Sequence, residues 1–146
     1  MKRMLYKGFS ATSLVIALTG CAVFEPAYPD PVTKTAADGL EVVSELVAAA
    51  QLGDFSKPAS YHNAAPRYAA AVARLEVVRG WALNRSEADD GLPATEAVKL
   101  MADDLGTCVT GVQDMAERHR SVGLAQSPAY TTIRLTCAIP INNILQ

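Results

Sequence analysis

Val98, Met101, Leu105, Cys108, Val112, Met115 and His119 recur at alternating three- and four-residue spacing. Side chains so spaced fall on one face of a helix, because 3.5 residues is close to one turn. The run predicts a long amphipathic helix. Pro93 suits its first position, Arg118 and Arg120 complement the negative end of its dipole near Ser121, and Gly123 can end it. A helix with one apolar face has to bury that face against something, so the fold class turns on what the rest of the chain supplies.

The segments upstream supply helices. Thr35 followed by Asp38 reads as a capping box, and Ala36, Leu40, Val43, Val47 and Ala50 continue at four-three spacing to Gly53, which predicts a first helix over about 35–52. Residues 54–62 read as a connection, and Asn63 as the cap of a second helix whose first turn tolerates Pro66. That helix runs to about Arg85, with Tyr68, Val72, Leu75, Val78 and Ala82 inward and Trp81 beside them. Gly39 is a weak point of the first helix and Gly80 of the second, and the stretch from Ser86 to Leu92, with Asp89-Asp90-Gly91, is a turn.

The last segment admits two readings. Ser127-Pro128 looks like a helix start, and Tyr130, Ile133, Cys137, Ile141 and Ile144 share a helical face; Ile133, Leu135, Cys137 and Ile139 also alternate as in a strand. Pro140 is expected to kink or stop either element. The helix is preferred, since the sequence offers no partner strand and a lone strand leaves its backbone groups unpaired. Four helices with short polar connections predict an all-α, antiparallel up-down four-helix bundle over 35–146.

The N-terminal stretch has a different character. Lys2, Arg3 and Lys7 precede a short apolar run from Gly8 to Leu18, too short to span a membrane and of signal-peptide proportions. The residues that follow, Leu18-Thr19-Gly20-Cys21, resemble the lipobox of bacterial lipoproteins. That resemblance implies removal of a 1–20 leader, lipid attachment (palmitate among the chains) at Cys21, and a membrane partner reached through the anchor. Because Ala22 is not the Asp that retains such proteins in the inner membrane, it also implies the periplasmic face of the outer membrane in a two-membrane host. Residues 21–34, with Pro26, Pro29 and Pro31, are then expected to be an extended tether.

With Cys21 committed to lipid and the chain exported, Cys108 and Cys137 are left as the one available disulfide. Their midpoint lies between Val122 and Gly123, inside the last predicted turn, so an antiparallel pair of helices would bring them level. The same reasoning puts His62 and His119 at one end of the bundle, far from the anchor. That distal tip is expected to gather Asp54, Tyr61, His62, Arg67, Arg118, His119 and Arg120. If the first and last helices are shorter than the central two, Val77, Val78, Trp81, Leu100 and Met101 are under-covered near the anchored end. They form a candidate interface, unless the tether or the chain end folds over them.

Chemical signatures are sparse. The mature segment holds ten basic and fifteen acidic side chains, a formal charge of −5 that disfavours nucleic acid. The chain has no Gly-x-Ser-x-Gly, no His-x-x-x-His and no Cys pair at zinc-ligand spacing, so no catalytic residue, cofactor or metal ligand is assigned. Asp103-Asp104 and Asp89-Asp90 are adjacent carboxylates that point to different sides of a helix or turn. The run Cys108-Val-Thr-Gly111-Val-Gln-Asp114 resembles a Cys-x-x-Gly-Val-x-Asp run of helical periplasmic immunity proteins that protect against type VI secreted amidases; the resemblance covers those seven residues. The expectation is a non-enzymatic, lipid-anchored envelope protein that works through a protein partner or self-association. An immunity protein against a secreted cell-wall hydrolase is the second reading, an enzyme the third.

Overall fold

The computed structural model describes residues 28–88 and 93–146. The expected lipobox at 18–21 and most of the expected tether lie outside the described residues. Four helices follow in order: α1 (Asp30–Leu52), α2 (Tyr61–Ala88), α3 (Pro93–Val122) and α4 (Ala129–Leu145), with a short 3-10 turn at Pro58–Ser60 ahead of α2. Packed pairs are α1–α2, α2–α3, α3–α4 and α4–α1, which closes the helices into a ring around one core. The all-α up-down bundle expected from the sequence is the fold observed.

Helix α1 starts five residues earlier than the capping-box reading placed it. Pro29 occupies the N-cap and Pro31 the first turn. Proline is favoured there, because the first-turn N–H groups have no helical acceptor and its fixed φ already suits a helix. Asp30 adds a negative charge at the positive end of the dipole. Thr35 is therefore not a cap: its Oγ1 donates to Pro31 O at 2.6 Å inside the helix, and Asp38 pairs with Lys34 at 3.2 Å. Residues 30–34 belong to the bundle, not to a tether.

The buried stripe of α1 is Val32, Ala36, Gly39, Val43, Leu46, Val47 and Ala50. Gly39 is the point where α1 and α2 come closest, since a Cβ there would meet Arg74 Cβ at 3.4 Å and Leu75 Cδ2 at 3.6 Å. Helix α2 answers with Ala64, Tyr68, Ala71, Leu75, Val78 and Ala82, all buried. Its start also departs from expectation. The 3-10 turn brings the first helical residue to Tyr61, so Asn63 lies inside the helix and Pro66 is its sixth residue. The missing Pro66 N–H leaves the carbonyl four residues back without its usual helical donor.

The α3 stripe is buried as its spacing predicts, from Val98 to His119. In α4 the helix wins over the strand, because Cys137, Ile141 and Ile144 turn inward with Tyr130 whereas Leu135 and Ile139 face solvent. The helix runs through Pro140, which is buried, and does not stop there. Ser127 Oγ accepts the Ala129 N–H at 3.2 Å and satisfies one donor of the first turn. Cys108 and Cys137 are bonded, with Cα atoms 4.8 Å apart, and tie the shortest helix to the longest.

The two connections at the distal end are fused. Gly53 (φ 87°) ends α1, and Gly123 (φ 79°) ends α3. Leu124 N–H donates to Phe55 O at 2.7 Å, which draws the second connection onto the first. A Cβ at position 123 would stand 2.5 Å from Ser56 O, so glycine is required there both for its backbone angle and for the approach. Gly123→Ala is therefore expected to lower stability by more than the roughly 1 kcal/mol of a strained φ alone, measurable as a shift of the urea midpoint. Replacing both Cys108 and Cys137 by serine should cost about 3–4 kcal/mol, with the far-ultraviolet circular dichroism spectrum of the remaining folded protein unchanged.

Candidate functional site

The distal end builds an imidazole into the core, the one buried titratable nitrogen group among the described residues. His119 closes the α3 stripe one turn before Gly123 and is 0% exposed. Its ring lies 4.4 Å from the Phe55 ring in a stacked arrangement, with Tyr61 edge-on at 5.6 Å and Tyr68 edge-on at 5.9 Å. Both nitrogens are occupied. Ser60 Oγ is 2.8 Å from Nε2, and Tyr68 Oη is 3.3 Å from Nδ1.

The network assigns the tautomer. The Ser60 hydroxyl donates to Lys57 O at 2.7 Å, so it is left to accept from His119 Nε2–H. Nδ1 then carries the lone pair and accepts the Tyr68 hydroxyl proton. Burial pushes the His119 pKa below the usual histidine value, opposed by the Lys57 carbonyl facing the ring. Burial also pushes the Tyr68 hydroxyl well above the usual tyrosine range, helped by Tyr130 and Tyr61 nearby. Both groups are therefore neutral at pH 7, and a neutral donor–acceptor chain is what a buried aromatic site tolerates.

The other residues expected at this tip scatter over its surface. Asp54, His62, Arg118 and Arg120 are exposed, and Tyr61 is half-buried. Arg67 reaches across to Glu45 of α1 at 2.8 Å, and Arg120 pairs with Glu117 on its own helix at 2.7 Å. Such exposed pairs contribute less than about 1 kcal/mol each. The two histidines share an end of the bundle but not an environment. Among the described residues no group of three His, Cys, Asp or Glu side chains stands close enough to hold a metal ion.

The candidate interface at the opposite end of the bundle is corrected more deeply. Val78 is 0% and Met101 7% exposed, so both are core. Trp81 is half-buried. Tyr28 lies on it with ring centroids 4.8 Å apart, the Arg85 guanidinium sits 5.3 Å from both rings, and Tyr28 Oη donates to Met101 Sδ at 3.5 Å. The chain just before α1 thus folds over the patch. Val77 and Leu100 are what remains exposed of it.

An open groove of about 560 Å³ runs along the outer side of α2 and α3, lined among others by Glu76, Arg79, Asp103, Thr110, Gly111 and Asp114. Arg79 Nε donates to Ala102 O at 3.3 Å and its head covers Gly106, so the one cation of the groove is spent on structure. No protein-family model matches the chain, and neither a curated protein nor a solved structure matches it.

Sequence reasoning missed Phe55, Ser60 and Tyr28 as partners of these clusters. Phe55 alone of the three carried a signal, as a large apolar residue in a mostly polar connection. Tyr68→Phe would leave His119 Nδ1 buried without a donor, and should cost about 1–3 kcal/mol in a denaturant titration. Trp81→Ala should cost roughly 2 kcal/mol, about half of a full core truncation because the ring is half-buried. A thermal melt checks it; an unchanged melting temperature with lost self-association would mark Trp81 as an interface residue instead.

Proposed function

We propose that this chain is a lipid-anchored periplasmic protein on the outer membrane of a two-membrane host, acting as a structural or interaction component of the cell envelope. The observation that carries the reading is the Leu18-Thr19-Gly20-Cys21 run behind a basic and then apolar leader. The geometry of the bundle is in keeping with it. Only residues 22–29 separate Cys21 from the first helical residue, Asp30, a reach of at most about 30 Å. Tyr28 is pinned on Trp81, which shortens the free span further. The Cys108–Cys137 bond suits an oxidising compartment. No helix of the described residues is long and apolar enough to cross a membrane, so attachment at Cys21 would supply the membrane association.

Cys21→Ser is the direct test. Metabolic labelling with a fatty-acid analogue should mark the wild type, and the variant should lose the label and accumulate as an uncleaved or soluble species. Equal labelling of both would sink the anchor. The second reading, an immunity protein, draws on Gly111 and Asp114 of the short resemblance, both of which line the open groove. Affinity purification from solubilised membranes separates the two: a resident envelope complex supports the first, and a secreted hydrolase supports the second.

A further inference from the structure

The buried imidazole has no part in anchoring, and its position is unusual for a group that serves packing alone. It joins three segments: the 53–60 connection through Ser60 and Phe55, α2 through Tyr61 and Tyr68, and α3 from which it projects. The second distal connection depends on the first through Leu124 N–H and Phe55 O. Whatever loosens the ring loosens both connections.

The ring has no charged partner. From the 53–60 connection, the Asp54 and Lys57 side chains are exposed, and Lys57 turns only its carbonyl to the ring. From α2 come the two tyrosines, while His62 is exposed and Arg67 is taken by Glu45 of α1. On α3 itself Glu117 pairs with Arg120, and Arg118 is exposed. From α4 comes Tyr130, beside Tyr68. No carboxylate among the described residues faces the ring.

A second proton would have to enter at Nδ1, which now accepts from Tyr68. The Tyr68 hydroxyl would then need to turn and find a new acceptor in a buried place. The Phe55 face offers an imidazolium about 0.5–2 kcal/mol, whereas an unpaired buried charge costs several kcal/mol, so the charged ring does not stay. We propose that His119 is an acid-operated latch: its protonation releases the 53–60 connection and uncovers the apolar surface of Phe55, Tyr61, Tyr68 and Leu124, while the Cys108–Cys137 bond keeps α3 and α4 together.

The sign follows from linkage. The folded pKa lies below the ordinary value of about 6.5, so the open form binds more protons than the closed one. The latch is fully closed above that value and opens as pH falls below it. Its existence is independent of the lipid anchor.

Amide hydrogen exchange on the folded protein, corrected for intrinsic rates, reads the latch at Ser56, Ser60 and Leu124, whose N–H groups are bonded in the two connections. Their protection should hold between pH 7.5 and 6.5 and fall from there to pH 5.0, by no more than tenfold per pH unit, the limit for one proton. Amides at the centre of α3, beside the disulfide, should keep theirs. His119→Phe and His119→Gln should each flatten the slope whatever their absolute stability. Flat wild-type protection at the three amides, or an undiminished slope in a folded variant, would overturn the latch. Should neither variant fold, the His119 ring followed by nuclear magnetic resonance decides: co-titration with the three amides below pH 6.5 supports the latch, and titration at or above the ordinary value with the amides unmoved refutes it.

Discussion

Each helix of this protein has one apolar stripe, and no stripe can be buried by one neighbour alone. The α3 stripe, from Val98 to His119, is the longest, and most of its cover comes from α2 and α4 on its two flanks. Closure of the ring through α4 and α1 is therefore the condition on which the core depends. Helix α4 is the weak member, with 17 residues against 30 in α3. Its bond to Cys108 removes loop-closure entropy from the unfolded chain and so supports the shortest of the four helices.

The four helices and the bundle were legible because the α3 repeat could be read as helix and nothing else, and because the level of Cys108 and Cys137 checked the antiparallel arrangement. Prolines were read less well. Pro29 and Pro31 suggested extended chain, yet proline is disfavoured inside a helix and favoured at its start. The same residues thus served as a helix entry. That shift of five residues lengthened α1 and brought Tyr28 onto Trp81 and Met101, inside the patch inferred to be exposed. Pro140 repeats the lesson from the other side: packing of Ile141 and Ile144 outweighs one missing hydrogen bond.

At the distal end the sequence held both halves of a contradiction. His119 was the last member of a buried stripe and also a candidate member of a polar tip, and position in the repeat proved the better guide to its burial. Its partners were not legible. Ser60 and Phe55 reach it from a connection whose path is set by Gly53, by the 3-10 turn and by the approach of Gly123 to Ser56. Those are tertiary facts without a local pattern. The same holds for Tyr28, whose place on Trp81 depends on where α1 begins.

The position of the disulfide also sets how the molecule would bear a mechanical pull. Force entering from the N-terminal side reaches α1 first, and α1 hands it to its packed neighbours α2 and α4 through side chains alone. Among the described residues only α3 and α4 are covalently stapled. Load applied between that side and an object held at the distal end would thus be carried by side-chain packing along α1, and by Gly39 seated against Arg74 and Leu75. Under tension α1 is the part that yields, and the α3–α4 hairpin is the part that survives as a unit.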